Sequence, residues 1–282
     1  MPHFLKSVKH IYSVIIIAMN VFEAIFLGLV QGFTEFVPVS SSGHLVLAQS
    51  VLGSSIDHLF IQALDFGTAL ALIIYFWSRL VDLARQIFGK KDYRLARNIL
   101  ITSIPAGLLG FLLADFIQNS PELLSPLVVA IMLAVVGVLM IVIDKLPRKS
   151  NKSGGQDLSP KRALAIGVAQ AFALIPGVSR SGSTIIASRI MGLNPKAAAE
   201  YSFMVAIPIM LGLLTKLLVK DSDRAYLITN LEPVVIGNIA AFISGMIAIK
   251  FMLTYLSNHG LAIFGWYRIA VATVVVGVLL VQ

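Results

Sequence analysis

Cysteine is absent from the 282 residues, which excludes disulfides, thiolate metal sites and thiol chemistry. Charge is scarce as well: Asp, Glu, Lys and Arg make up 13% of the chain against 57% hydrophobic residues, and the mean hydropathy is +0.89. A soluble core of this size cannot hide so much apolar surface, so the expectation is an all-α integral membrane protein. Nucleotide loops of the G-x-x-x-x-G-K-[ST] kind, H-E-x-x-H and paired histidines for transition metals are also missing. There is no long linker, low-complexity tract or second domain. The net charge of +8 does not indicate nucleic acid, because 12 of the 22 Lys and Arg fall in two short loops between apolar runs. Such clusters mark cytoplasmic loops.

What is present is six apolar runs long enough to cross ~30 Å of hydrocarbon: 60–77, 99–116, 123–143, 198–218, 233–256 and 261–281. Arg79, Arg85, Lys90, Lys91, Arg94 and Arg97 follow the first run. Lys145, Arg148, Lys149, Lys152, Lys161 and Arg162 follow the third. Both loops should be cytoplasmic, and the cation-free turn near Gln118 should face outside. The rule is weaker in the second half, where the expected outer loop holds Lys220 and Arg224, offset by Asp221, Asp223 and Glu232. Residues 1–20 form an N-terminal extension with Lys6, Lys9 and an apolar stretch. It reads as an interfacial helix, a leader, or an artefact of an upstream start, Met19 being the alternative initiator.

Residues 28–53 and 167–192 are one segment written twice, at an offset of 139 without gaps, and nine of the 26 paired positions are identical. Chance would give about two for this composition. Each copy breaks the apolar pattern with Pro, Ser and Gly. The arms after the turns, 44–52 and 184–193, supply only ~15 Å of helix and cannot span. Each copy is therefore expected to be a re-entrant hairpin, tolerated at depth where protein or a wet cavity satisfies its backbone. The predicted plan is a first repeat at 21–143 with its hairpin at 21–53, a cytoplasmic loop at 144–162, and a second repeat at 163–282 with its hairpin at 163–193. Three crossings between the hairpins give the halves inverted topology.

Ionisable residues at membrane depth cost on the order of 2.5–3.5 kcal/mol each and need a reason. Gln31 and Glu35, four apart, share a helix face. A carboxylate beside an amide oxygen suits a hard cation such as Mg²⁺ or Ca²⁺, although Glu35 could instead pair with Arg180 or His44. Ser40, Ser41, Ser42, Gly43 and His44 follow Pro38 and open the next arm, bringing hydroxyls and backbone N–H groups to a helix N-terminus, an anion site. His44, three residues on, is placed to activate Ser41 or to protonate a leaving group. In the second copy Ser179, Arg180, Ser181, Gly182 and Thr184 form the counterpart turn. There a guanidinium among hydroxyls suits phosphate. Asp65 and Glu200 read as packing partners, with Asp65 placed to help set the site's charge.

The stretches Gln31 to His44 (Q-G-F-T-E-F-V-P-V-S-S-S-G-H) and Pro176 to Thr184 (P-G-V-S-R-S-G-S-T) resemble the two signature segments of the undecaprenyl-diphosphate phosphatase family of the bacitracin-resistance type. Ile104 to Gly107, Ala199 to Phe203, and Ile207 with Pro208 resemble it too, so the likeness covers residues 21–282. It implies hydrolysis of a C55 isoprenyl diphosphate in the bacterial inner membrane, recycling the lipid carrier of peptidoglycan synthesis, with a divalent cation. Its catalytic residues fall on Glu35, Ser41, His44 and Arg180, with Ser40, Ser42, Gly43, Ser179, Ser181, Gly182 and Thr184 around the phosphates. Its metal ligands fall on Glu35 and Gln31. Many members carry Glu where this chain has Gln31, so one carboxylate is missing and Glu35 is expected to dominate metal binding. The nucleophile is Ser41, His44 or water. The site is expected to open to the periplasm, and the expected partners are the polyprenyl diphosphate, membrane lipids and a second copy in a homodimer, not nucleic acid. A transporter or flippase of phosphorylated lipid or small anions is the rival reading. Acid-phosphatase-type lipid phosphatases share only an echo at Ser42-Gly43-His44, without their other two motifs.

Overall fold

The computed structural model describes residues 20–52, 57–118, 120, 122–145 and 152–281. The N-terminal extension up to residue 19 lies outside them, as do Gly53, Arg148 and Lys149. Regular structure among the described residues is helical: α1 Val21–Phe36, α2 Ser41–Leu52, α3 His58–Ala63, α4 Asp65–Tyr75, α5 Trp77–Phe88, α6 Arg94–Gln118, α7 Pro126–Lys145, α8 Pro160–Ala171, α9 Arg180–Ile190, α10 Pro195–Val219, α11 Asp221–Thr229, α12 Leu231–Asn258 and α13 Ala262–Val281.

Six segments are long and apolar enough to cross a membrane: His58–Tyr75, Arg94–Leu113, Pro126–Lys145, Pro195–Val219, Leu231–Asn258 and Ala262–Val281. They match the six predicted runs, with ends shifted by a few residues. Leu, Ile, Val and Phe side chains such as Leu108, Phe111, Leu139, Ile243 and Ile247 stand exposed on their outer faces, the surface a lipid solvent requires. The first of these segments is broken at Leu64, immediately before Asp65. The pairs Lys220–Asp223 and Arg224–Asp221, at 3.1 and 2.7 Å, neutralise the cations of the expected outer loop.

The duplicated segments fold as two pairs of shorter helices, α1 with α2 and α8 with α9. At 16, 12, 12 and 11 residues each is ~16–24 Å long at 1.5 Å per residue, short of a bilayer core. Asn20 and Glu23 start α1 with a reciprocal capping box. Val37, extended before Pro38, ends it. The second arms begin at Ser41 and Arg180, earlier than the predicted 44 and 184, because Ser40 and Ser179 act as caps. The chain enters and leaves the α8–α9 pair at one end, where the Asn194 N–H donates to the Lys152 carbonyl at 3.2 Å. Asn98, at the start of α6, donates to the Gly155 and Leu158 carbonyls of the same loop, at 2.9 Å each. The two cationic loops thus meet at one end of the helices.

Packing relies on small residues, as it must where lipid offers no hydrophobic drive between helices. α1 packs on α12, and α8 packs on α6, so the first arm of each copy rests on a span of the other half. At the first contact a Cβ on Gly32 would collide with Ser244, Ala241 and Gly245. α7 and α13 cross where Gly137 and Gly265 each face the other's carbonyl. Gly107, by contrast, has open space around it. Gly32→Val should therefore cost about 1–3 kcal/mol through overpacking and lower the unfolding midpoint in detergent by several degrees. Gly107→Ala should leave it unchanged or raise it slightly.

Candidate active site

The two serine turns share a backbone conformation. Ser40 and Ser179, aligned in the repeat, both have φ of 78°, a left-handed value that costs a non-glycine residue on the order of 1–3 kcal/mol and gathers at functional sites. Each then caps the helix that follows: Ser40 Oγ accepts from the Gly43 N–H at 3.3 Å, and Ser179 Oγ from the Gly182 N–H at 3.1 Å. The backbone N–H groups of His44 and Ser183 go to the Ser40 and Ser179 carbonyls. This leaves Ser41, Ser42, Arg180 and Ser181 with the first N–H groups at the two helix starts, which a helix cannot satisfy internally.

Many of the residues expected around a phosphate are thus used within the turns. Ser40 and Ser179 are buried caps, and the N–H groups of Gly43 and Gly182 are taken by them. Thr184 is fully buried, its hydroxyl shared among the Arg180 and Ser181 carbonyls and the Ser202 hydroxyl. Ser181 is buried against Ser179 and the Val37 carbonyl. Ser42 stays exposed, within 3.3 Å of Ser40 Oγ.

Glu35 is where the two copies join. Its Oε1 accepts from Arg180 at 2.8 Å, and its Oε2 from Ser41 Oγ at 2.5 Å and from Gln31 Nε2 at 3.2 Å. Arg180 and Glu35 side chains are only 17% and 12% exposed, so water screens the pair weakly. The pairing of Glu35 with Arg180 does exist, yet it leaves the second guanidinium nitrogen, Nη1, buried without a partner, a donor available to an anion. Gln31 also donates to Asp65 Oδ1 at 2.7 Å, bringing that acid into the cluster. Glu200 lies elsewhere, paired with Arg79 at 3.3 Å.

The expected pairing of His44 with Ser41 is replaced. Ser41 donates to Glu35, and both His44 ring nitrogens are engaged otherwise. Nδ1 lies 2.8 Å from the Ser40 carbonyl, which can only accept, so this nitrogen carries the proton. Nε2 lies 2.8 Å from the Tyr267 hydroxyl, and the two rings stack at 7°.

Beside Tyr267, Arg268 is the largest fully buried side chain of the described residues. Its guanidinium donates to five backbone carbonyls: Leu133 at 3.2 Å and Met132 at 3.4 Å in α7, Pro38 at 3.1 Å after α1, and Gly177 at 2.5 Å and Val178 at 3.1 Å before α9. One side chain thus ties both turns to the α7–α13 crossing. Neither Tyr267 nor Arg268 is marked by the duplicated motif. An arginine seven residues into the last apolar run is nonetheless the same anomaly that singles out Glu35. Arg268→Lys keeps the charge but not the fork, and each buried carbonyl it abandons costs ~1–3 kcal/mol. The variant should unfold at a clearly lower temperature than wild type; an unchanged midpoint would remove Arg268 from this role.

A family model described as bacitracin resistance protein BacA matches residues 24–274. Undecaprenyl-diphosphatase 2 of Paramagnetospirillum magneticum is 37% identical over 267 residues, covering 92% of this chain and 99% of the relative. The undecaprenyl-diphosphatase of Nitrosomonas europaea is 39% identical over 255 residues, covering 90% and 92% of the two chains. That of Halothermothrix orenii is 41% identical over 256 residues, covering 88% and 94%. With matches of this length falling on both serine turns and all six apolar spans, the chain belongs to the bacitracin resistance protein BacA family.

Proposed function

We propose that this protein hydrolyses undecaprenyl diphosphate to undecaprenyl phosphate and inorganic phosphate, the activity its relatives are named for. The lipid carrier of peptidoglycan synthesis is thereby recycled, and bacitracin resistance follows. The observation that carries the reading is the joint at Glu35, where a nucleophile candidate from one helix start and a guanidinium from the other meet on one carboxylate. A transporter or flippase would share the anion site, but no relative here is named for transport.

The α1–α2 and α8–α9 pairs act as re-entrant hairpins in halves of inverted topology. Their short lengths, the shared entry and exit of the second pair, and the reciprocal packing of α1 on α12 and α8 on α6 support this. With both cationic loops in the cytoplasm, the first hairpin opens toward the periplasm, and the site with it.

The diphosphate is held by Arg180 Nη1 and by the backbone N–H groups of Ser41, Ser42, Arg180 and Ser181, with its C55 tail in lipid. These donors are in place before charge develops in the transition state, which is the larger part of phosphoryl-transfer catalysis. Ser41 Oγ attacks the terminal phosphorus and passes its proton to Glu35 Oε2; the bridging P–O bond breaks and undecaprenyl phosphate leaves. Water then cleaves the phosphoserine, restoring Ser41 and releasing phosphate. His44, its Nδ1 proton held by the Ser40 carbonyl, accepts a proton at Nε2 and returns it from the imidazolium so formed. The alternative, direct attack by water, needs Ser41 only as a binding group.

Glu35 and the buried, unpartnered Gln31 Oε1 are hard oxygen donors that fit Mg²⁺ or Ca²⁺. Such a cation would neutralise the diphosphate's charge.

Phosphate release from C55 diphosphate by the purified protein in detergent tests this. Glu35→Gln, Ser41→Ala and Arg180→Met should each lower turnover by about 10²–10⁴-fold. Substantial residual turnover in Ser41→Ala alone would favour water as nucleophile. No release by the wild type would point to a carrier.

A further inference from the structure

The cluster around Gln31 contains one acid more than its motif. Gln31 is only 2% exposed, and its single amide nitrogen donates both to Asp65 Oδ1 at 2.7 Å and to Glu35 Oε2 at 3.2 Å. The two carboxylates, on different helices, are thus both within hydrogen-bond reach of one atom. The amide's other end, Oε1, is buried with no partner, an acceptor left unsatisfied at the edge of an acceptor-rich cluster. Leaving such a group dry is costly.

Charge points the same way. Glu35 is met by Arg180. Asp65 has no ion-pair partner among the described residues, and the other buried guanidinium nearby, that of Arg268, is committed to carbonyls. Two carboxyl groups face one available guanidinium, so holding both as carboxylates at membrane depth requires a further cation. A small hard cation relieves both problems, since it takes carboxylate, amide and hydroxyl oxygens together. Half a turn of the Gln31 amide would exchange its nitrogen for its oxygen. The same residue can then bridge the acids as a donor without a cation and face a cation as a ligand.

We infer that Asp65 is the second carboxylate of the divalent-cation site, acting with Glu35 and with Gln31 between them, so that the acid absent at position 31 is supplied from the broken first span. The inference rests on the reading that a cation binds at Glu35, and the experiment separates the two. Purified protein stripped with chelator is titrated with Ca²⁺ and with Mg²⁺ in detergent without substrate, and affinity is read by calorimetry and by the shift in unfolding temperature. Glu35→Gln and Asp65→Asn should each weaken affinity by about tenfold or more, in the range seen when metal-site partners are removed. The double variant Gln31→Glu with Asp65→Asn moves the acid across the bridge and should bind within a few-fold of wild type. Loss in Glu35→Gln but not in Asp65→Asn overturns the role of Asp65 and leaves the cation at Glu35. Loss in neither overturns the cation reading and this inference with it. Failure of the double variant to recover binding, with a wild-type unfolding midpoint in chelator, shows that an acid at position 31 and one at position 65 are not equivalent at one cation, and also overturns it. Should Asp65→Asn alone not fold, the double variant, which keeps the acid count, decides between the same outcomes.

Discussion

A buried guanidinium on five carbonyls is the constraint on which the site depends. Arg268 stands where α7 and α13 approach through Gly137 and Gly265, and from there it reaches the chain just past α1 and just before α9. A charge at this depth is tolerated only when its donors are matched, and here the matching is done by backbone that the two turns would otherwise leave unpaired. The arginine satisfies the turns and the turns satisfy the arginine. Remove either and the other becomes a buried cost.

That arrangement sorts charge by direction. The carbonyls beyond the first arms face Arg268, while the N–H groups that begin the second arms have no partner within their helices. Between them Glu35 holds Ser41 and Arg180 in fixed relation. The strained φ of Ser40 and Ser179 is sustained by this framework: both backbones are bent sharply enough to place the next side chain, Ser41 or Arg180, at the joint. The adjacent Tyr267 extends the same scaffold to His44, whose Nε2 it holds. Consecutive residues of the last helix therefore set the shape of both turns and the orientation of the histidine.

Much of this was legible in the chain. Hydropathy marked the six spans because a run of some twenty apolar residues has few alternatives, and two of their starts moved to caps at Ser125 and Asn194. The duplicated segment located the turns, and the cost of intramembrane charge singled out Glu35 and Arg180. What sequence spacing misjudged was which hydroxyl meets which partner. A left-handed serine at position 40 redirects Ser41 toward Glu35 and away from His44, and one-dimensional spacing does not display a positive φ. Thr184, expected at the phosphate, turns into the core because its helix starts four residues earlier than its polarity suggested. Tyr267 and Arg268 were invisible to the repeat because they lie in a span with no polar counterpart, although the isolated arginine was itself a signal. Asp65 was expected to influence the site's charge, but its partner there, Gln31, lies 34 residues away and shows only in the fold.

The central claim is that the two turns form one phosphate site around the joint of Glu35, Ser41 and Arg180. An experimental structure with a non-hydrolysable methylene analogue of undecaprenyl diphosphate tests it most directly. The account predicts the terminal phosphate within hydrogen-bond distance of the Arg180 guanidinium and of the Ser41 N–H, with Ser41 Oγ in line behind the phosphorus. A phosphate held away from both turns, or touching one turn only, would contradict it.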